Sequence, residues 1–380
     1  MTSALDRAVE ALDLCEQAPS YVRGIAAYQP GKPITELARE FNLDPASIVK
    51  LASNENPLGM SPKVRAAIEA ALPELHRYPD NFELLQAVAK RVDRPMDSVV
   101  LGNGSNDLLE MVAAAFLAPG RSAVFSQHAF AVYPLATQSR GARSIVVPAK
   151  NWGHDLSAMR AAIAADTRVV FIANPNNPTG TLLSADELSA FLDIVPAHIA
   201  VVLDEAYNEY LPAASNYDSR NWLRTHPNLI VTRTFSKAYG LAGLRIGYAM
   251  CDARVADLLN RVRQPFNVNN LALVAAIAAL DDQDFVRRSH ALNSAGMLQL
   301  TEAFKTMGLA WIRSAGNFVA VEIPRRDGES QAALIYQKLL RAGIIVRPIG
   351  AYAMPDHLRV SIGRADENER FIQALKAALA

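Results

Sequence analysis

Short runs of apolar residues recur through the first three quarters of the chain, separated by alanine-rich stretches. Val-Val-Phe-Ile-Ala at 169–173 and Ala-Val-Val-Leu at 200–203 contain no polar alternation. Strands with this pattern are buried on both faces, as in a parallel sheet covered by helices. A helix is predicted at 107–118. Strands are predicted at 98–101, 123–126, 144–147, 168–173, 200–203, 229–233 and 245–250.

The last hundred residues follow a different pattern, in which helical stretches flank strands predicted at 317–322, 344–347 and 358–362. The pattern is typical of a small α+β domain. The N-terminal segment is polar and rich in turn residues, and we expect it to pack across the other two regions. We therefore predict a crossing segment at 1–59, an α/β domain with a mostly parallel sheet sandwiched by helices at 60–275, and a small α+β domain at 276–380.

Composition and charge narrow the functional classes. Lys plus Arg equals Asp plus Glu, 38 against 38, so charge gives no reason to expect nucleic-acid or membrane partners. The two cysteines, Cys15 and Cys251, are too few for a disulfide framework. The N-terminus does not read as a secretory signal, and the longest apolar run, 271–280, is far below the ~20 residues that span a bilayer. We expect a soluble, cytoplasmic protein.

Polar residues gather at the ends of the predicted strands, where ligands of open parallel sheets bind. Gly-Asn-Gly-Ser-Asn at 102–106 lies between a strand and a helix, and its small residues and free helix-start amides suit an anion. A tight turn with a helix cap explains this segment equally well. It lacks the third glycine of a dinucleotide fingerprint and the lysine of an ATP-binding loop.

Two further strand ends carry candidate chemistry. In Asn-Pro-Asn-Asn-Pro-Thr-Gly at 174–180, two X-Pro pairs restrict the backbone around Asn177, whose amide suits a phenolate oxygen. An ordinary Asn/Pro/Gly loop is the alternative. Asp204, in Asp-Glu-Ala-Tyr, ends an apolar strand, where a carboxylate is costly unless it meets a cation such as a pyridinium nitrogen. Tyr207 would point to the same side, and the alternative is a helix-capping Asp with a surface Tyr.

The strongest group is Thr-Phe-Ser-Lys at 234–237 followed by Arg245. A lysine that follows an apolar strand is poorly explained as a solvated charge. Burial and a nearby cation would lower the pKa of Lys237, as a Schiff-base nucleophile requires. Arg245 would pair with a phosphate dianion together with Ser236 and the helix start at Gly104 and Ser105. The seven histidines show no metal-ligand spacing, so no metal site is expected, and His154 fits a loop or core histidine best.

Together these motifs resemble those of the fold-type-I aminotransferases, which depend on pyridoxal phosphate. The order and spacing are similar to those of the histidinol-phosphate aminotransferase branch, over nearly the whole chain from about residue 20. Further matching motifs lie at 28–33, 53–59, 77–80 and 358–363.

The resemblance implies a role for each matched residue. Lys237 is the Schiff-base lysine and proton shuttle, Asp204 keeps the pyridine nitrogen protonated, and Tyr207 holds the ring oxygen with Asn177. Phe130 stacks on the ring, where many relatives have tyrosine. Tyr78 reaches the cofactor phosphate of the neighbouring subunit, which implies a homodimer with shared sites. The residues implied for the phosphate are Gly104, Ser105, Asn106, Ser236 and Arg245.

The resemblance also implies a reversible transamination in histidine biosynthesis. L-histidinol phosphate and imidazole-acetol phosphate form one pair, and glutamate and 2-oxoglutarate the other. Arg359 and Arg347 would bind the phosphate ester, and Tyr28 would close the imidazole end; Arg347 as a surface or structural arginine is the alternative. An aromatic-amino-acid aminotransferase, a phosphothreonine decarboxylase and a non-enzymatic cofactor-binding regulatory domain remain open. The last is disfavoured because every catalytic position is intact.

Overall fold

The structure is a computed structural model that describes residues 14–215 and 217–380, so the first part of the predicted segment 1–59 lies outside the described residues. No helix in these two ranges is long and apolar enough to cross a membrane. The helices are α1 (Leu14–Gln17), α2 (Ser20–Arg23), α3 (Ile34–Phe41), α4 (Pro62–Ala71), α5 (Phe82–Val92), α6 (Ser105–Phe116), α7 (Val132–Ser139), α8 (Leu156–Ala161), α9 (Ala185–Ile194), α10 (Ser219–Trp222), α11 (Ala253–Val262), α12 (Asn270–Asp281), α13 (Gln283–Thr306), α14 (Ala332–Arg341) and α15 (Ala365–Leu379). The strands are β1 (Val49–Lys50), β2 (Val99–Gly102), β3 (Ser122–Ser126), β4 (Arg143–Val147), β5 (Thr167–Ala173), β6 (Ala200–Asp204), β7 (Leu229–Thr234), β8 (Gly247–Met250), β9 (Trp311–Ile312), β10 (Phe318–Glu322), β11 (Ile344–Ile345), β12 (Arg347–Pro348) and β13 (His357–Ser361).

The large sheet has seven strands in the order β2-β8-β7-β6-β5-β3-β4. Only β8 runs antiparallel to its neighbours, β2 and β7, and the other strand pairs are parallel. The central strand β6 is buried along its whole length, as its unbroken apolar run requires. The mostly parallel sheet predicted from the sequence is confirmed.

Helices cover both faces of this sheet. One apolar cluster joins the sheet to α4, α5, α9 and α12, and a second joins it to α6, α7 and α11. The predicted domain boundary at residue 275 falls inside α12, whose buried residues from Ala272 to Leu280 all belong to the first cluster. The three-region division stays a prediction, and the packing of α12 favours a boundary after Asp281.

The small sheet, β12-β13-β10-β9, is antiparallel and packs against α13, α14 and α15. The single strand predicted at 344–347 is wrong, because the chain changes partners within it. β11 pairs in parallel with β1 of the N-terminal segment, whereas β12 pairs with β13. This switch places Arg347 opposite Arg359 in the sheet.

The strand predicted at 245–250 is wrong at its start, since β8 begins at Gly247. Arg245 follows a 3-10 turn, Ala242–Leu244, and adopts a left-handed backbone with φ 58°. Its Nη1 donates to the Ala242 carbonyl at 3.0 Å, so the side chain folds back over the turn instead of joining the sheet. The left-handed conformation is uncommon for a side chain of this size, and here it brings the guanidinium towards β7.

Candidate active site

A cavity of about 190 Å³ lies where β5, β6 and β7 end, bordered by the small sheet and the N-terminal segment. Its position agrees with the rule that ligands of parallel sheets bind beyond the strand carboxyl ends. The structure brings twelve predicted site residues to its walls. They are Tyr28, Ser105, Asn106, Phe130, Asn177, Asp204, Tyr207, Ser236, Lys237, Arg245, Arg347 and Arg359.

Lys237 follows β7 and reaches into this cavity. Its Nζ donates to the Ser53 carbonyl at 3.2 Å and lies 5.8 Å from the centre of the Tyr207 ring. Burial lowers the pKa of Lys237 to about 8, and the guanidinium of Arg359 adds to the effect. More of the neutral amine is therefore present near neutral pH than for an ordinary lysine, as a nucleophilic amine needs.

Asp204 ends β6 with its side chain almost fully buried. The Tyr133 hydroxyl donates to Oδ2 at 3.0 Å, and the Thr232 hydroxyl donates to Oδ1 at 3.2 Å. Burial raises the pKa of Asp204 to about 6, although these hydrogen bonds oppose the rise. Among the described residues Asp204 forms no ion pair, so a cation from a ligand would relieve the desolvated charge. A pyridinium nitrogen fits this requirement.

Tyr133 is a residue that the sequence analysis missed. Its ring is fully buried and stacks on Phe171, with centroids 4.7 Å apart, and Phe130 meets it edge-on at 5.9 Å. Burial next to Asp204 raises the pKa of Tyr133, so its hydroxyl stays a donor. It is hard to find from the sequence, because Tyr133 lies on α7 and its partner Asp204 ends β6, far along the chain. Its spacing of three residues from Phe130 is the one sequence signal.

The Tyr207 hydroxyl accepts a hydrogen bond from Asn54 Nδ2 at 3.0 Å. Asn54 is itself fixed: its N–H donates to Ser361 Oγ at 2.8 Å, and its carbonyl accepts from Asn317 Nδ2 at 3.0 Å. Burial raises the pKa of Tyr207 to about 12, so the phenol is protonated and able to donate to a ring oxygen. Asn54 belongs to the motif at 53–59 that resembles the aminotransferase motif, but the sequence analysis assigned no role to it.

Backbone amides and a guanidinium converge at the start of α6. A side chain at Gly104, which has φ 82°, would place its Cβ 2.3 Å from Arg245 Nη2. At Gly247 an added Cβ would lie 2.8 Å from the amide nitrogen of Ser105. Arg245 Nη1 also donates to Ser236 Oγ at 3.2 Å. Two glycines thus keep open a cradle of helix-start amides, a hydroxyl and a cation, which fits a phosphate group.

Two arginines on the small sheet line the same cavity. Arg359 is buried and donates to Asn177 Oδ1 at 2.5 Å and to the Ala52 carbonyl at 2.8 Å. Arg347 donates to the Gln29 carbonyl at 2.6 Å, and its guanidinium lies 5.8 Å from the centre of the Tyr28 ring. Arg347 therefore both faces the cavity and fastens the N-terminal segment across it.

Two predicted site residues do not line the cavity: Gly104 lies against the Arg245 guanidinium, and Tyr78 lies away from the cavity. The Tyr78 side chain is 80% exposed and stacks on Phe266, with centroids 4.5 Å apart. The role across subunits that the resemblance implies stays a prediction. His154 is buried, and its Nε2 lies 2.9 Å from the Ala173 carbonyl. Burial lowers the pKa of His154 to about 4, so it remains neutral, as suits a structural histidine.

Comparisons with known proteins give a consistent set of relatives. The family model described as aminotransferase class I and II matches residues 46–375. A protein of Dechloromonas aromatica named histidinol-phosphate aminotransferase 1 is 60% identical, covering 97% of this chain and all of its own. One of Pseudomonas aeruginosa named histidinol-phosphate aminotransferase 2 is 59% identical, covering 94% and 96%. The crystal structure of histidinol-phosphate aminotransferase from Sinorhizobium meliloti in complex with pyridoxal-5'-phosphate superposes with a TM-score of 0.87 at 29% identity, covering 96% and 97%.

Proposed function

The chain belongs to the class I and II aminotransferases, and from that premise we propose that it interconverts L-histidinol phosphate and 2-oxoglutarate with imidazole-acetol phosphate and L-glutamate, in histidine biosynthesis. Its cofactor is pyridoxal phosphate. The observation that carries the substrate assignment is the pairing of Arg347 with Arg359 across β12 and β13, on the wall of the cavity that also holds Lys237. The named relatives at 56–60% identity support the same reaction.

We assign the cofactor contacts residue by residue. The cradle of Gly104, Ser105, Asn106, Ser236 and Arg245 would hold the phosphate. Asp204 would bind the ring nitrogen, Tyr207 and Asn177 the ring oxygen, and Phe130 one face of the ring. Bound pyridoxal phosphate supplies a protonated ring that draws electrons from the substrate α-carbon. Lys237 is the residue placed to bond the cofactor covalently.

Proton movement falls to Lys237. With its pKa lowered to about 8, the free amine accepts the α-proton of the first substrate at Nζ. In the second half-reaction it returns a proton to the α-carbon of the second substrate. Arg359 and Arg347 hold the acidic group of each substrate, which orients the α-carbon towards Nζ. Tyr28 and the segment fastened by Arg347 border the cavity and would limit the access of water to it.

The charge at the arginine end favours a phosphate ester over an aromatic amino acid. Phenylalanine offers one singly charged carboxylate, whereas histidinol phosphate offers more charge and three terminal oxygens to forked donors. Two guanidiniums side by side repel each other unless an anion lies between them, so a dianion matches this end best. The aromatic-amino-acid aminotransferase remains the second candidate, because Tyr28 and Phe130 also suit an aromatic side chain.

Substrate preference is the test of this proposal. We expect the wild-type kcat/KM to be larger for histidinol phosphate than for phenylalanine or phosphothreonine. Arg347→Ala should lower kcat/KM for histidinol phosphate by about 10- to 100-fold, the loss typical of a charge-assisted hydrogen bond. Steady-state assays with 2-oxoglutarate measure both. Arg341→Ala, at an exposed arginine that ends α14, is the matched control and should change nothing.

A much larger wild-type kcat/KM for phenylalanine would overturn the substrate and leave the reaction class standing. Release of carbon dioxide from phosphothreonine would instead assign the chain to the decarboxylases. An Arg347→Ala variant with unchanged kinetics would mean that Arg347 only fastens the N-terminal segment through Gln29.

We also propose that the enzyme is a homodimer with shared active sites. Tyr78 and its stacking partner Phe266 are both exposed, and Phe82, Leu72 and Leu75 nearby in the sequence are exposed as well. Large exposed apolar side chains of this kind often mark an interface between subunits. In a two-fold dimer each Tyr78 would contact the phosphate cradle of the partner, a role that the resemblance implies.

Subunit complementation tests the shared site. A Lys237→Ala chain mixed with a Tyr78→Ala chain should recover activity, because one of the two sites in the heterodimer then has both residues. Lys237→Ala mixed with Asp204→Asn is the matched control, since both residues act within one chain and neither hybrid site is complete. A verified heterodimer without recovered turnover would show that Tyr78 does not act across the interface.

A cytoplasmic location, without nucleic-acid or membrane partners, completes the proposal. The zero formal net charge offers no general attraction to phosphate backbones or acidic lipids. Two cysteines in 380 residues suit a reducing compartment.

A further inference from the structure

A short 3-10 turn, Gly350–Tyr352, joins β12 to β13. Its last residue, Tyr352, lines the active-site cavity and has no role in the function proposed above. The turn ends at Ala353, whose φ of 58° reverses the chain. Tyr352 lines the same cavity as Arg347 and Arg359, and its half-buried ring packs against the cluster that contains Ile349 and Met354. The phenol is therefore held beside the two arginines that we assign to the substrate anion.

A histidine from the large domain fixes this turn. His128 Nδ1 lies 2.6 Å from the Tyr352 carbonyl oxygen, and because a carbonyl only accepts, Nδ1 carries the proton and donates. His128 is itself buried: its ring lies 5.4 Å from that of Trp152, and its carbonyl accepts from Asn176 Nδ2 at 2.9 Å. The position of Tyr352 is thus set by the loop between β3 and α7, which also carries Phe130.

The two arginines do not provide all the donors that a phosphate group can use. Arg359 already donates to Asn177 and Ala52 through its two outer nitrogens, and Arg347 donates to Gln29. Each guanidinium therefore has only some of its N–H donors free to bind a ligand. A phosphate ester has three terminal oxygens, whereas a carboxylate has two. Burial raises the pKa of Tyr352, against the opposing influence of Arg359 and Arg347, so its hydroxyl stays protonated and can serve as a further donor.

We propose that Tyr352 is a specificity-determining residue that donates its hydroxyl to a terminal oxygen of the substrate's phosphate ester, and that His128 is the positioning residue that aims it. This inference rests on the proposed function, and it adds a neutral donor to the two arginines. The Tyr352 hydroxyl oxygen is hydrogen-bonded to the backbone of Ala131, which leaves the hydroxyl proton to donate, and a substrate without the phosphate offers that proton no such acceptor. Tyr352 therefore separates histidinol phosphate from an aromatic amino acid of similar size.

Tyr352→Phe in the holoenzyme removes the hydroxyl and keeps the ring. The ratio of kcat/KM for histidinol phosphate to kcat/KM for phenylalanine should fall about tenfold, mainly through KM, as for a lost hydrogen bond to a charged group. The inhibition constant of inorganic phosphate, measured as a competitor, should rise by a similar factor. Tyr21→Phe, which removes a phenol hydroxyl on α2 outside the cavity, is the matched control and should leave both readouts unchanged.

Variants of His128 test the positioning role separately. His128→Ala should lower the same kcat/KM ratio by about fivefold, because the turn loses the bond that aims Tyr352. His128→Asn should restore most of the ratio, since its amide Nδ2 can donate where Nδ1 does now. Melting temperatures identify any variant whose fold has changed. His198→Ala, at an exposed histidine, is the control substitution.

The outcomes separate the two claims. If the wild type fails to use histidinol phosphate, the proposed function falls, and the role of Tyr352 falls with it. If the wild type uses this substrate and Tyr352→Phe keeps the ratio within about twofold, the inference about Tyr352 is overturned and the function stands. An unchanged ratio in His128→Ala would remove the positioning role alone, and failure of His128→Asn to restore the ratio would show that the His128 hydrogen bond is not what aims Tyr352.

Discussion

Lys237→Ala is expected to abolish the absorbance band of cofactor bonded covalently to the protein and to lower turnover by about four decades, the upper end of the range for a lost proton-transfer group. The reason is local: Lys237 lines the cavity, its Nζ donates to the Ser53 carbonyl and lies near the Tyr207 ring, and burial lowers its pKa to about 8. Absorbance spectra and single-turnover assays of the purified variant measure the two effects.

Two further proteins make this result interpretable. Lys237→Arg keeps a positive charge in the cavity but cannot bond the cofactor, so it should also lack the absorbance band. Lys150→Ala, at an exposed lysine outside the cavity, should remain coloured and active. A wild-type protein that is colourless, and stays inactive with added pyridoxal phosphate, would contradict the assignment of the whole site.

Asp204→Asn should retain some cofactor and lose about one to two decades of kcat, the equivalent of a charge-assisted hydrogen bond of roughly 1.5–3 kcal/mol in a dry site. A neutral amide no longer favours the protonated ring nitrogen. It also mismatches its neighbours, because Tyr133 and Thr232 both donate to Asp204, and an amide has one acceptor oxygen. Kinetic assays at saturating cofactor, together with the cofactor dissociation constant, separate lost catalysis from lost binding.

Asp97→Asn, at an exposed aspartate before β2, provides the comparison for a neutralised carboxylate away from the site. Near-normal kcat in Asp204→Asn would assign Asp204 to the structure of the strand end alone. In that case Tyr133→Phe should also have little effect, since it acts through the same carboxylate.

Most of the candidate site could be predicted because its functional side chains occur in short sequence motifs at the ends of strands. Asp204 ends β6, Lys237 follows β7, and Ser105 begins α6, so a pattern of apolar runs followed by polar residues was sufficient to bring them to one edge of the sheet. Their roles followed from the resemblance, and the geometry of Gly104 and Arg245 supplies the physical reason for the phosphate cradle.

The residues that could not be predicted are those whose partners lie far away in the sequence. Asn54 reaches Tyr207, Tyr133 reaches Asp204, and the carbonyl of Tyr352 meets His128. Hydrophobic periodicity reports which face of an element is buried, but it does not report which distant element covers it. The prediction of one strand at 344–347 was wrong for the same reason. The segment forms two strands because β11 pairs with β1 and β12 pairs with β13, and β1 and β13 come from opposite ends of the chain.

The pairing of Val49 with Ile344 and Lys50 with Ile345 has a consequence for how the enzyme is made. During synthesis on the ribosome, β1 emerges early, but it cannot pair with β11 until nearly the whole chain has been translated. Contacts between such distant segments form slowly, because a long loop must close first. Asn54 lies just after β1 and holds Tyr207, while Ser53 meets Lys237. A nascent chain that stops before β11 would therefore lack the strand pairing next to Ser53 and Asn54, and catalysis would begin only after β11 has been added.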